Sequence, residues 1–129
     1  MTLRTKDGHE TVYSSDAEMT DLPVAVLVDE QSISAAEFFA AAFQEYGRGP
    51  LVGAHTTGKG RAQQTFRLSD GSAVNLSVEQ YYTPEGNSLA GVGVAPDVSV
   101  GLTEAQQADF YFLIPENDPQ LQKACELLT

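Results

Sequence analysis

The chain has 129 residues, a length at which one domain buries roughly two thirds of the surface its unfolded form exposes, so a core forms without staples. Its 18 Asp and Glu against 7 Lys and Arg give a formal charge of −11, which repels nucleic-acid backbones and anionic membrane surfaces and leaves neither as an expected partner. The longest apolar runs, Val24 to Val28 and Ala40 to Phe43, fall far short of the roughly 20 residues of a membrane span; no basic-then-apolar secretion signal follows Met1, and the lone Cys125 cannot form an intrachain disulfide.

Alternation in Leu3 to Lys6 and His9 to Tyr13 around Asp7-Gly8 predicts a β-hairpin with an Asp-Gly turn, followed by a loop over Ser14 to Thr20. Val24-Ala25-Val26-Leu27-Val28 is continuously apolar and largely β-branched, the pattern of a strand buried on both faces and the expected centre of the core. Ser34-Ala35-Ala36-Glu37 has the spacing of a capping box, and Phe38, Phe39, Ala42, Phe43 and Tyr46 supply an apolar stripe for a helix that Gly47 ends. Leu51-Val52 reads as a short strand. The glycine-rich loop Thr56 to Gly60 leads into two strands, Ala62 to Leu68 and Ala73 to Val78, around the turn Ser69 to Ser72. Tyr81 to Gly86 is loop-like, and Asp97 to Val100 suits an edge strand. Thr103 caps a helix over Glu104 to Phe112, and Asp118-Pro119 opens a last one carrying Leu121, Ala124, Cys125 and Leu128.

A serine followed three residues later by glutamate is usually a helix cap. Ser34, however, falls between a buried strand and a helix start, where backbone N–H groups and the positive end of the helix dipole suit a developing oxyanion. A serine hydroxyl needs a base. His9 lies in a polar hairpin and His55 in the approach to the glycine-rich loop, so both are weak candidates. Lys59 stands between Gly58 and Gly60 beside apolar strands, where a buried ammonium would lose hydration and its pKa would fall into the working range of a general base. The bland alternative is a surface lysine in a turn. Gly53 to Lys59 also has P-loop spacing, but Gly60 stands where Ser or Thr would hold magnesium, and Gln63 to Leu68 alternates like a strand where a helix is required. Asp29, Glu30, Asp70, Glu79, Glu85 and Asp97 are scattered carboxylates without metal-ligand spacing.

The blocks Val28 to Glu37, Tyr46-Gly47-Arg48 and Gly53 to Gln63 resemble, in order and spacing, the carboxyl-terminal processing (tail-specific) proteases. Leu68 to Ser72, Tyr81 to Ser88 and Gly91 to Asp97 continue the match, which covers roughly residues 22 to 100. The resemblance implies that Ser34 is the nucleophile, Lys59 its general base, and Gln63 the residue that helps hold the lysine. It implies that the backbone N–H of Ala35 is one oxyanion donor, with Glu37 left as a helix-start cap. Ile33, Ala36, Ala54 and Thr57 depart from residues common in the family, and none removes a catalytic group.

The implied fold is an α/β core of the crotonase or ClpP-like kind, built of stacked strand-strand-helix units and present here as a partial domain. Residues 1–20 form the hairpin and loop leading in, 21–100 the catalytic core, and 101–129 the C-terminal helices of the same domain. The implied reaction is peptide-bond hydrolysis through an acyl-enzyme, with no cofactor or metal, on unfolded or tail-exposed proteins outside the cytoplasm, in the envelope, periplasm or secreted. In the family a PDZ domain and a segment supplying the second oxyanion donor precede this region, so the chain is expected to be a fragment, feeble alone, that self-associates through uncovered apolar surface. Two rivals remain: a noncatalytic peptide-binding module on the same fold, and an acyl-thioester enzyme in which no serine attacks.

Overall fold

A computed structural model describes all residues, 1–129. Two sheets organise the chain. The first is antiparallel in the order β2-β1-β6-β5 and is built from β1 (Thr2–Thr5), β2 (Glu10–Val12), β5 (Arg61–Arg67) and β6 (Ala73–Tyr82). The second is parallel in the order β3-β4-β7, from β3 (Val26–Val28), β4 (Leu51–Gly53) and β7 (Val98–Ser99). Helix α1 (Ala35–Glu45) packs against β3. A short α2 (Glu104–Ala108) runs into a 3-10 turn over Phe110–Phe112, and α3 (Pro119–Leu127) packs on β3 and β4. No helix is long and apolar enough to cross a membrane.

The expected hairpins form. Strands β1 and β2 turn at Asp7-Gly8, and β5 and β6 turn at Ser69 to Ser72. Strand β6 runs on through Tyr81 and Tyr82, expected as loop, because β1 pairs along its second half with Thr2 opposite Tyr82 and Thr5 opposite Glu79. The terminal helices start where their caps predict. Asp118 accepts N–H bonds from Gln120 and Leu121, and Thr103 accepts from Gln106. Glu104 to Phe112 is not one helix, since α2 stops at Ala108 and the aromatic residues close a separate 3-10 turn.

The core is displaced from where the apolar runs put it. Its centre is β4, whose Leu51 and Val52 have no solvent contact and which has a neighbour on either side; β3 is an edge strand with Leu27 41% exposed. On α1 the inward face is Glu37, Ala40 and Ala41, whereas Phe39 and Tyr46 of the expected stripe are 52% and 69% exposed. Small side chains at 40 and 41 bring the helix backbone close to the sheet; of the expected stripe Phe43 packs against this core half-buried, while Phe39 and Tyr46 turn outward. Cys125 sits on the exposed side of α3.

The loop after β4 is held by close backbone packing. Gly60 has φ +49, and a Cβ built on it would lie 2.2 Å from Ala90 N, so no side chain fits there. Gly8 has φ +89 with nothing near its would-be Cβ. In urea unfolding, Gly60→Ala is expected to lower stability by about 2 kcal/mol or more, since strain adds to a backbone clash, and Gly8→Ala by about 1 kcal/mol. Equal losses would mean that the approach to Ala90 is not a constraint.

Candidate active site

Strand β3 ends at Val28, and the next five residues are a tight connection laced to itself. The Asp29 carboxylate accepts from Gln31 N–H at 3.0 Å and from Ser32 Oγ at 2.9 Å, while Ser32 Oγ accepts from Asp29 N–H at 3.0 Å. The connection delivers Ser34 to the N-cap of α1 with φ 62° and ψ −118°, the only non-glycine residue with positive φ. Such a backbone costs on the order of 1–3 kcal/mol and persists only where its surroundings impose it. A serine on a strained strand-to-helix turn presents its hydroxyl ahead of the helix N-terminus. The Ser34 hydroxyl makes no side-chain cap bond, and the Ala35 N–H donates to no protein acceptor.

What imposes the turn is Glu37. Ser34 N–H donates to Glu37 Oε2 at 2.8 Å, the half of a capping box that leaves the serine hydroxyl unused. The carboxylate has no solvent exposure and goes further than a cap. Its Oε2 also accepts from Lys59 N–H at 3.0 Å, and its Oε1 accepts from Thr56 Oγ at 2.6 Å and from Gly58 N–H. The amide nitrogens of Ser34 and Lys59 therefore lie within 5.8 Å of each other, the sum of their two bonds to one oxygen.

Further bonds tie the two loops. Thr57 N–H donates to Ser32 O at 3.2 Å, Thr57 Oγ donates to Glu30 O at 2.7 Å, and Thr56 Oγ accepts from Val94 N–H at 2.8 Å. The backbone N–H groups of the glycine-rich loop thus converge on an anion, but that anion is the chain's own glutamate. A strand, β5, follows the loop. Both features stand against a phosphate-binding P-loop.

The sequence-predicted residues are brought together unequally. Ser34 and the Lys59 backbone share one carboxylate oxygen. The Lys59 side chain, expected to be buried, is exposed and makes no hydrogen bond, because the burial of this loop is carried by Gly58 and Gly60 on either side of it. Gln63 is also exposed; it follows a bulge between Ala62 and Gln63 in β5, and its Oε1 accepts from Asn75 Nδ2 at 3.3 Å and not from Lys59. His9 lies in the first turn, and His55 Nδ1 meets the carbonyl of its neighbour Thr56 at 3.0 Å, so neither is bonded to Ser34. Glu37, expected to be a cap and nothing more, and Thr56 are the positioning residues that sequence reasoning missed. The available signal was a charged residue at the helical spacing of the buried Ala40 and Ala41.

Burial pushes the Glu37 pKa up, but the hydrogen bonds from Thr56, Gly58, Ser34 and Lys59 outweigh it and hold the carboxyl below its ordinary 4.5. A group with a depressed folded pKa contributes stability that is complete above its unfolded value and is lost as pH falls through the folded one. Glu37→Gln replaces an acceptor oxygen by an amide that clashes with a donor, and is expected to cost about 1–3 kcal/mol near neutral pH. That difference should shrink as pH drops below about 4.5. A pH-independent difference in urea midpoint would show that the charge of Glu37 carries none of it.

Residues 1–100 match the family model "Peptidase family S41". The chain is 36% identical over 125 residues to a carboxyl-terminal-processing protease of Synechocystis, covering 96% of this chain and 29% of that one. It is also 36% identical over 132 residues to carboxyl-terminal-processing peptidase 3, chloroplastic, of Arabidopsis thaliana, covering 90% and 25%. Among solved structures, the photosystem II D1 C-terminal processing protease aligns with a TM-score of 0.72 at 36% identity over 78% of this chain and 26% of that one. The chain thus spans less than a third of the length of these relatives. A matching family model across most of the sequence, together with relatives above one-third identity, establishes that the chain belongs to peptidase family S41.

Proposed function

We propose that the chain carries the catalytic core of a serine endopeptidase acting through Ser34 and Lys59. The observation that carries this is the backbone of Ser34, held at φ 62° between β3 and α1 with its hydroxyl free of any cap bond. In the proposed reaction Ser34 Oγ attacks the peptide carbonyl carbon while neutral Lys59 Nζ takes its proton. The Ala35 N–H at the start of α1 stabilises the oxyanion. Collapse breaks the C–N bond, Lys59 passes the proton to the leaving amine, and an acyl ester remains on Ser34. Water then attacks that ester, giving its proton to Lys59, which returns it to Ser34 Oγ.

Lys59 Nζ has to swing inward for this, over a span its side chain covers given that the Ser34 and Lys59 amides share one acceptor. Gln63 follows Lys59 by four residues and would hold the amine once it has swung inward. Substrates would be unfolded or tail-exposed proteins handled outside the cytoplasm, as the resemblance implies. The strand-helix-strand order of β3, α1 and β4 supports a crotonase-like core in which the first hairpin and α3 belong to the same unit. Exposed Leu27, Tyr111 and Phe112 support self-association.

One observation favours a noncatalytic peptide-binding module instead: the Lys59 amine is in solvent and Gln63 is engaged by Asn75. A fluorophosphonate probe separates the two. The proposal expects stoichiometric labelling of Ser34 that falls at least tenfold in Lys59→Ala and is absent in Ser34→Ala, a fall consistent with losing a general base worth about 100-fold to 10,000-fold. Labelling that survives Lys59→Ala unchanged, or none at all, favours the binding module. Peptide hydrolysis by this chain alone is expected to be feeble, because one oxyanion donor of a pair typically contributes about 100-fold to 1,000-fold.

A further inference from the structure

The chain carries 18 acidic and only 7 basic side chains, yet three of the seven surround one cavity. It lies on the antiparallel sheet, holds about 460 Å³, and is lined by Arg4, Lys6, Arg61, Gln80 and Tyr82 among others. The register explains the clustering. Gln80 is the cross-strand partner of Arg4 on one side and of Arg61 on the other, so the three form a row across β1, β6 and β5 on one face. Tyr82 follows Gln80 by two within β6, which returns it to that face, and Lys6 lines the cavity from the turn that follows β1.

The three cations are not equally committed. Arg4 is paired with Glu10 at 2.6 Å and stacks over the Tyr82 ring at 4.2 Å. Lys6 and Arg61 make neither an ion pair nor a side-chain hydrogen bond, although Glu79 is also in the cavity wall. Two free cations in one lining with Tyr82 and Val78 form a site for an anion with an apolar flank. A guanidinium fork selects planar carboxylates by paired hydrogen bonds.

The location relates this site to the chemistry. Arg61 opens β5 two residues after Lys59, which is no more than about 7 Å of chain. We propose that this cavity is a specificity site that takes an acidic side chain of the bound peptide, a few residues from the bond presented to Ser34. The inference rests on the peptidase reading above, and binding tests it without turnover.

The experiment uses the full chain as Ser34→Ala, with fluorescent peptides of otherwise apolar sequence that differ only by Glu or Gln at one position, scanned along the peptide. At one position the Glu peptide should bind about tenfold tighter, as expected for a charge-assisted bidentate contact near the surface. That preference should vanish in Lys6→Gln/Arg61→Gln and reverse towards a Lys peptide in Arg61→Glu. Because both side chains are exposed, these variants are expected to fold, and circular dichroism checks that they do. Equal affinities at every position, no binding of either peptide, or a preference that survives the double variant would overturn the proposal. So would tight binding of inorganic phosphate alone with no Glu preference, which would make the cavity a site for free oxyanions. Fluorophosphonate labelling of Ser34 in Lys6→Gln/Arg61→Gln should match that of the parent chain. Its absence in both, alongside a clear Glu preference, would sink the peptidase reading while leaving the acidic site standing.

Discussion

A single carboxylate with no solvent exposure governs the arrangement of this chain. Glu37 holds a negative charge in the interior because Ser34, Thr56, Gly58 and Lys59 all turn donors towards it. A buried anion is tolerated when its lone pairs are filled, and removing any one donor leaves the rest solvating an under-bonded charge. The turn before α1 and the loop before β5 are therefore not independent: the turn supplies one and the loop three of the donors that solvate one group. Two segments 25 residues apart in sequence are held in mutual register by that requirement.

The same device recurs at lower intensity. Glu45, at the end of α1, accepts from Thr83 Oγ at 2.6 Å, Glu85 N–H at 2.9 Å and Asn87 Nδ2 at 3.1 Å, which fixes the turn after β6. Asp97 accepts from Leu51 N–H at 2.8 Å and Gln44 Nε2 at 2.7 Å, joining β4, α1 and the approach to β7. Part of the acidic excess is thus structural. Helix α1 sends a strut to a loop from near each of its ends, and the helix is where the two sheets are coordinated. Against that background the basic face of the antiparallel sheet is a local reversal of charge, placed where the strand following the lysine loop begins.

The legibility of this structure in its sequence was uneven, for physical reasons. Hairpins, caps and helix ends follow from short-range rules, so Asp7-Gly8, Asp118-Pro119 and Gly47 were readable. Which apolar residues face inward was not. Val24 to Val28 has the composition of a central strand, but centrality depends on which strands pair with it, and that is a long-range fact. The α1 stripe was legible only in part: Phe43 does pack on the core, but helix-to-sheet approach is set by small residues, and Ala40 and Ala41 carry less hydrophobic signal than the exposed Phe39 or Tyr46. Ser34 was legible as a strand-to-helix serine and Lys59 as a glycine-flanked lysine. The exposure of the Lys59 amine was not, because flanking glycines report on backbone packing and say nothing of where the side chain goes. Glu37 was seen and undervalued: a capping box accounts for one bond, and the three to the distant loop are invisible to local pattern.

The backbone of Ser34 has an implication for how such a chain tolerates change. Its φ of 62° is a conformation that glycine adopts freely and serine only under compulsion. Under the proposed chemistry, stability and activity therefore pull in opposite directions at that one position. Selection for thermal robustness alone would drift towards glycine there, erasing the hydroxyl while leaving the fold firmer than before. A population of sequences retaining serine at this turn is one in which something other than folding has been under selection.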